Sequence, residues 1–260
     1  MISIAFRGET RTVDESLAVL IGAEGLDASA VEAQTEEYAS IDGARLAGVR
    51  ASRRDVRLRY AVVGDPEDAR QELYRIYEPK TSGTLYVRTA KRSATAPYDV
   101  VPRALTAEAV AADISFDPWA RSQEAEVHLV CPDPWLYGAT KTVELTDSNR
   151  QWVCENDGMA VGFTAEVGRS GYVRTKQTAL DGYEKRLSWD ASSVLSSDAV
   201  LTLDTRDGHW GLYIEEDGVR TSYIQYITEW GFDTIVHGRR AVRTTAGKGL
   251  LTFTERWLGI

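Results

Sequence analysis

Two prolines one residue apart, in the stretch Cys131-Pro132-Asp133-Pro134-Trp135-Leu136-Tyr137-Gly138, constrain this chain more than any other feature. Each lacks an N–H and each restricts the residue before it, so no helix interior or central strand can run through them. The segment must be a stiff, extended connector. Ahead of it, residues 125–131 place Val127, Leu129 and Cys131 in alternation with polar or small neighbours, the period of a half-buried strand. Behind it, Lys141-Thr142-Val143-Glu144-Leu145 alternates again. A strand that stops at a proline corner and restarts with a new pattern marks the passage between domains. We therefore expect a first domain over residues 1–136 and a second over 137–260.

The chain has 260 residues and a net charge of −9, enough length for two domains that each bury a core. The acidic balance argues against nucleic acid or an anionic membrane as partner, since either needs a basic footprint. No apolar run of about 18 residues is present to span a bilayer. Met1-Ile2-Ser3-Ile4-Ala5-Phe6-Arg7-Gly8 lacks the basic start and apolar centre of a signal peptide, so synthesis and retention in the cytoplasm are expected until something else carries the protein out. Cys131 and Cys154 are the only cysteines. Two thiols make no disulfide framework and lack the companions of a zinc site; buried thiols are expected, and one bridge between them is the alternative left open.

In the first half, residues 2–6 read as a strand. Residues 13–39 are poorly patterned: Leu17, Leu20 and Ile21 fit one helical face, but Gly22 and Gly25 interrupt it, giving mixed strand and loop. After the turn signal Asp42-Gly43 come Arg45, Arg50, Arg53, Arg54, Arg57 and Arg59, six arginines in fifteen residues. Residues 55–62 put Val56, Leu58, Tyr60 and Val62 on one face and Asp55, Arg57 and Arg59 on the other. Such a stripe is a solvated face paired with carboxylates, a nucleic-acid contact, or a seam between subunits where arginine meets a neighbour's carboxylates bidentately. We take Arg53, Arg54, Arg57 and Arg59 as candidate intersubunit residues.

The clearest helix starts at Asp65, a cap for the free amides, with Pro66 at its first position and Glu67 and Asp68 against the positive end of the dipole. Ala69, Leu73, Ile76 and Tyr77 share one face, so the helix lies on a sheet and ends before Pro79. Thr84-Leu85-Tyr86-Val87-Arg88 returns as a strand. Pro97, Pro102 and Pro118 punctuate an alanine-rich stretch, residues 104–112, whose composition says helix and whose position between strands says otherwise.

The second half reads as all-β. Asp-Gly pairs, the strongest short hairpin signal, occur at 157–158, 181–182, 207–208 and 217–218. Alternating runs lie at 200–203, 210–214, 223–227 and 250–257, the last after the turn Gly247-Lys248-Gly249. Short, closely spaced strands make a β-sandwich or barrel.

No catalytic, metal or cofactor constellation stands out. His128, His209 and His237 are scattered. No nucleophile elbow or phosphate-cradling glycine loop occurs. Asp204-Thr205-Arg206-Asp207-Gly208 lacks the middle and closing acidic ligands of a calcium loop and reads as a turn. Glu215-Glu216-Asp217 sits at a hairpin tip. Trp152, Trp189, Trp210, Trp230 and Trp257 serve either a sandwich core or a sugar-stacking platform. A sugar-binding sandwich protein is thus the alternative from another class, and a cell-wall hydrolase, which needs paired carboxylates, a third.

Four stretches together resemble the distal tail protein of long-tailed, non-contractile (siphophage-type) phages and related prophages. They are Ile41-Asp42-Gly43 with Arg54-Asp55-Val56-Arg57-Leu58; Ala69-Arg70-Gln71-Glu72-Leu73-Tyr74-Arg75-Ile76 with Gly83-Thr84-Leu85; Cys131-Pro132-Asp133-Pro134-Trp135-Leu136-Tyr137; and Phe232-Asp233-Thr234-Ile235-Val236-His237-Gly238-Arg239-Arg240 with Thr254-Glu255-Arg256-Trp257-Leu258-Gly259-Ile260. The resemblance implies a mainly β protein: an N-terminal β-barrel-like belt domain with one helix, six copies of which close into a homo-hexameric ring, and a C-terminal galectin-like β-sandwich. It further implies a virion structural protein of the tail tip or baseplate, assembled in the host bacterial cytoplasm and not an enzyme. The implied partners are the tail tube protein, the tail-associated hub or fibre protein and the tape-measure protein, with no cofactor, no specific nucleic acid and no membrane. At 260 residues the chain has no room for the inserted carbohydrate-binding modules of some relatives. A closed ring needs a heterologous interface; the arginine face and the acidic residues 32–37 are complementary patches for it by charge alone.

Overall fold

The computed structural model of the chain describes residues 3–8, 11–37, 44–92, 100–116, 123–146, 150–176, 184–231, 234–235 and 237–259. The turn signals Asp42-Gly43 and Asp181-Gly182, the prolines Pro97 and Pro118, and Phe232, Asp233 and Val236 of the fourth resemblance motif lie outside the described residues. The chain divides into two compact units, Met1–Gly138 with Trp257–Ile260, and Ala139–Arg256.

The first unit contains β1 (Ser3–Phe6), β2 (Ala18–Glu24), β3 (Val31–Glu37), β4 (Ala44–Ala51), β5 (Arg54–Val62), α1 (Pro66–Ile76), β6 (Ser82–Arg92), β7 (Val100–Phe116) and β8 (Glu124–Cys131). Its sheet runs β2-β5-β8-β7-β6-β1, antiparallel throughout. Strands at both ends of that order, through Ala18 and through Ile4 and Phe6, share one core cluster with Val56, Leu58, Leu85, Leu105 and Leu129, as a barrel-like arrangement requires.

The helix forms as its sequence dictates. Asp65 Oδ1 accepts from the N–H groups of Glu67 and Asp68 at 2.9 and 3.2 Å, and Ala69, Leu73 and Ile76 are buried. Just past its end, Tyr77 stacks on Phe6 with ring centroids 5.6 Å apart and shares a 2.7 Å hydrogen bond with the hydroxyl of Tyr60. The alanine-rich stretch is strand β7. Leu105, Ala107, Ala109 and Ala111 alternate into the core, and ladders to β6 and β8 on either side override the helical propensity of alanine.

Residues 18–24 are a strand too, and of the two glycines that spoil a helical pattern, Gly25, just past its end, is the one the backbone requires. The register slips between Leu20 and Gly22, where a side chain on Gly22 would come within 3.2 Å of Arg59 Nε. Gly25 has φ +79°, and a Cβ there would stand 1.9 Å from the carbonyl oxygen of Asp55.

The second unit holds β9 (Leu136–Glu144, whose first residues belong to the first unit), β10 (Gln151–Asn156), β11 (Thr164–Gly168), β12 (Ser170–Lys176), β13 (Glu184–Asp190) and β14 (Val200–Asp204). It continues with β15 (Gly211–Glu216), β16 (Val219–Ser222), a 3₁₀ turn (Ile224–Tyr226), β17 (Ile227–Glu229), β18 (Gly238–Thr244) and β19 (Gly247–Trp257). Two sheets, β16-β15-β14-β11-β19-β9 and β10-β18-β12-β13-β17, enclose a single core. Trp152, Val173, Leu187, Trp189 and Val242 enter it from one side and Ala165, Leu203, Leu212, Leu251 and Phe253 from the other, which makes the galectin-like β-sandwich.

Two local expectations differ. The run 223–227 is not a strand: Tyr226 N–H closes onto the carbonyl of Tyr223, making a 3₁₀ turn before β17. Of the Asp-Gly pairs, Asp217-Gly218 makes the two-residue hairpin, with φ +51° and +76°. Gly208 turns at φ +78°, but Asp157-Gly158 ends β10 beside the backbone of Arg256 and forms no hairpin. Cys131 and Cys154 are both free and buried, so the bridge between them does not form. No helix among the described residues is long and apolar enough to cross a membrane.

Candidate intersubunit surface

The arginine strand β5 begins with a division of labour. Along it, Arg54, Val56, Leu58 and Tyr60 are buried while Asp55, Arg57 and Arg59 are exposed. The expectation of four arginines on one outer surface fails at Arg54, which is only 2% exposed. All five of its N–H donors are engaged by backbone carbonyls. Nε and one Nη2 hydrogen meet Pro134 O at 3.1 and 2.7 Å, Nη1 meets Gly25 O and Asp27 O at 2.7 Å each, and the remaining Nη2 hydrogen meets Leu258 O. Burial pulls the guanidinium pKa down, and Cys131, Asp133 and Asp27 act in the opposite sense. Arg54 is an internal clasp of the first unit. Its place in the alternation, two residues before Val56, is the sequence signal that locates it inside.

Arg53, Arg57 and Arg59 are outward. Arg53 Nε lies 3.5 Å from Asp55, and Arg57 Nη1 lies 3.7 Å from Glu126. Across the ladders Arg57 faces Glu24 and His128, and Arg59 faces Gly22 and Glu126. His128 Nε2 is 3.1 Å from Asp55 Oδ1. The face is a mosaic of both signs, the pattern of a solvated sheet surface, and not a basic footprint.

The acidic residues 32–37 lie on the β3–β4 ribbon, which pairs only with itself among the described residues. Glu32 opposes Arg50, which it binds at 3.0 Å, and accepts from Ser52 Oγ at 2.8 Å; Glu36 opposes Arg45. Val31, Ala33 and Val49 share the opposite face, and a bulge after Gln34 puts Leu46 across from Thr35 on that same face. Val31, Leu46 and Val49 are 54%, 57% and 59% exposed. The ribbon is thus amphipathic, with its charges paired on one face and its apolar face turned to solvent. That apolar face was hidden in the sequence beneath the charge pattern, although Val31-Glu32-Ala33-Gln34 alternates at period two.

Elsewhere the candidate residues are structural. Trp152 and Trp189 are buried in the sandwich, with indole N–H bonds to Gly249 O and Gly168 O at 2.9 and 2.8 Å, whereas Trp210 and Trp230 are 47% and 49% exposed. Asp204 is a turn residue: its carboxylate accepts the backbone N–H and the guanidinium of Arg206. Glu215 at the hairpin tip pairs with Arg220 at 2.8 Å. No group of three or more metal-ligating side chains occurs among the described residues.

No protein-family model and no curated protein sequence matches the chain. Among solved structures, it is similar to the baseplate of phage P2 in its activated conformation, with Ca (TM-score 0.45, 9% identity) and with Sr (TM-score 0.44, 8% identity), each match covering 100% of both chains. It is also similar to the Dit protein (gp 19.1) of phage SPP1, described as a paradigm of the hub adsorption apparatus in phages infecting Gram-positive bacteria. There the TM-score is 0.58 at 11% identity, over 98% of this chain and 99% of that one. The chain has the fold of the phage Dit protein, the fold that its sequence motifs resemble.

Proposed function

We propose that this protein is a structural component of a phage tail tip, a ring-forming adaptor that joins the tail tube to the hub or fibre protein, with the tape-measure protein nearby. The observation that carries the reading is the likeness of fold to the SPP1 Dit protein over nearly the whole of both chains. The first unit is the ring-forming belt and the ring is a homo-hexamer; its place is the virion tail tip, reached after assembly in the host cytoplasm. The role is architectural and not enzymatic.

The ring seam is the apolar face of the β3–β4 ribbon, seated on a second copy of the chain. A two-stranded ribbon alone is marginally stable in water, and unpaired edges beside an exposed apolar face are features that proteins otherwise cover. The arginines 53, 57 and 59 already face carboxylates within the chain, so in such an assembly their charges serve orientation more than affinity. Light scattering on the purified protein across a range of concentrations and salt levels tests this. The expected result is a discrete closed ring that Leu46→Lys with Val49→Lys reduces to monomers of unchanged thermal stability. A strict monomer throughout refutes self-assembly, and a ring that survives both substitutions refutes the seam.

The half-exposed Trp210 and Trp230 favour a second reading, a sugar-binding sandwich. A glycan array probed with the full chain checks it, and absence of binding across the array removes it.

A further inference from the structure

In a chain of net charge −9, the outer face of the sheet β10-β18-β12-β13 carries an unusual row. Gln151 faces Arg243, Arg243 faces Arg174, and Arg174 faces Arg186, so that three arginines stand side by side on three neighbouring strands. Like charges directly opposite one another destabilise a ladder. Beside this row lies a groove of about 590 Å³, lined by Arg150, Gln151, Tyr172, Arg174, Arg243 and Thr245, with no acidic residue among the described lining.

The groove is built and not merely exposed. The ring of Tyr172 lies under two guanidinium groups, Arg186 at 4.4 Å and Arg174 at 5.7 Å from its centroid. Arg186 is further held by Ser188 Oγ at 2.9 Å and Glu229 at 3.3 Å. Arg150 donates from Nη1 to Thr245 O at 2.8 Å, and its own carbonyl accepts from Thr244 N–H at 3.0 Å. Its backbone holds φ +45°, a left-handed conformation that a non-glycine residue adopts only where the surroundings enforce it.

We propose that this groove is a binding site for a phosphate-type oxyanion, free or carried as a phosphoester. Arg150, Arg174 and Arg243 line it, so that guanidinium N–H groups are available to a compact dianion with three acceptor oxygens, and Gln151 and Thr245 belong to the same lining. An acidic peptide fits less well. Its carboxylates alternate along a strand, whereas the arginines stand side by side across strands, where neighbouring rows are about 5 Å apart.

Isothermal titration of the full chain at low salt, with inorganic phosphate and with glucose 1-phosphate, tests the site. Saturable binding is expected with Kd of about 1 mM or tighter, weakening as salt rises. Tighter binding of glucose 1-phosphate identifies a phosphoester as the source, and equal binding identifies free phosphate. Arg174→Gln with Arg243→Gln should lower affinity at least about ten-fold, and Arg243→Lys should lose most of that too, because a point charge lacks the fork. Without ligand, the double variant should melt no lower than the parent, since a like-charge row has been relieved. If it fails to fold, Arg150→Gln, which lies outside the strands, carries the same test. Absence of saturable binding, unchanged affinity in the variants, or tighter binding of tetraglutamate than of phosphate overturns the proposal, the last in favour of an acidic peptide.

Discussion

Arg54→Met keeps a long unbranched side chain in the buried position and removes all five N–H donors at once. Three carbonyls, those of Gly25, Asp27 and Leu258, lose the Arg54 donor outright, and that of Pro134 keeps only the hydroxyl of Ser29 at 3.4 Å. A buried acceptor left unsatisfied costs about 1–3 kcal/mol, so a plain sum over the three would reach about 3–9 kcal/mol. Two effects reduce it. The guanidinium itself is buried in the native state, which pulls its pKa down, and removing it relieves that desolvation cost. Pro134 and Leu258 are only half-buried, so solvent can replace part of what their carbonyls lose. The net loss expected is about 3–5 kcal/mol, or about 10–20 °C in Tm for a unit of this size. Arg54→Lys retains the charge but offers three donors from a single nitrogen, too few and too closely spaced for four carbonyls, and should cost about 2 kcal/mol. Urea unfolding gives the magnitude, and hydrogen exchange gives the place: protection should fall around residues 25–28, 132–136 and 257–259 and stay in the sandwich. If Arg54→Lys matches the parent in stability, or Arg54→Met costs under about 1 kcal/mol with exchange unchanged, the clasp is not what holds these segments.

Tyr77→Phe leaves the buried hydroxyl of Tyr60 without its 2.7 Å partner and should lower the urea-derived stability by about 1–2 kcal/mol. Burial pushes the Tyr60 hydroxyl up to about 12 and the thiols of Cys131 and Cys154 up to about 11 and about 12. For each group the native state holds its proton longer than the unfolded chain does. The stability they contribute is therefore complete below their ordinary values of 9 to 10 and is lost as pH rises through the raised ones; unfolding midpoints that stay flat from pH 9 to 11.5 would contradict this. Both thiols should resist a disulfide reagent at pH 8 in the native protein and react promptly in urea; fast native labelling of either one removes its assignment as a buried core group. Gly25→Ala should cost more than about 2 kcal/mol, because the new Cβ meets the Asp55 carbonyl at 1.9 Å and φ is +79°; a thermal shift assay that shows no loss refutes the close approach.

What was legible in the sequence follows the strength of the local signal. The helix could be placed because cap, proline, acidic first turn and apolar face all agree over residues 65–77. Strands β5 and β8 could be placed because one face is buried and one is wet. Strand β7 could not, because alanine carries no information about period and its strand state is imposed by the neighbours on both sides. The run 223–227 misled for the converse reason: Tyr223 and Ile227 pack on the core at the spacing of one strand face, but they are the caps on either side of the 3₁₀ turn 224–226. Of the candidate surface, the charges were visible and their partners were not. Glu32 with Arg50 and Arg57 with Glu126 are cross-strand relations that exist only once the register is set.

Arg54 and the proline corner answer one another. Pro132 and Pro134 remove two backbone donors from a segment that still presents every one of its carbonyls, so the connector has more acceptors than it can satisfy by itself. Asp133 compensates locally, its carboxylate accepting from Trp135 N–H at 3.1 Å and from the Tyr137 hydroxyl at 2.5 Å, which fixes the bend. The Pro134 carbonyl is left over, and Arg54 donates to it twice. The Cα partner of Arg54 across the ladder is Cys131, the residue at which β8 ends and the corner begins. A guanidinium at that register position reaches past the end of the sheet, where an apolar side chain of the same alternation would stop. Its remaining donors go to the chain after β2 and to the carbonyl of Leu258. One buried charge therefore ties three segments far apart in sequence to the end of a single strand, with no carboxylate among its hydrogen-bond partners. The stiffness that two prolines impose on the connector is usable only because the donors they eliminate are returned from β5.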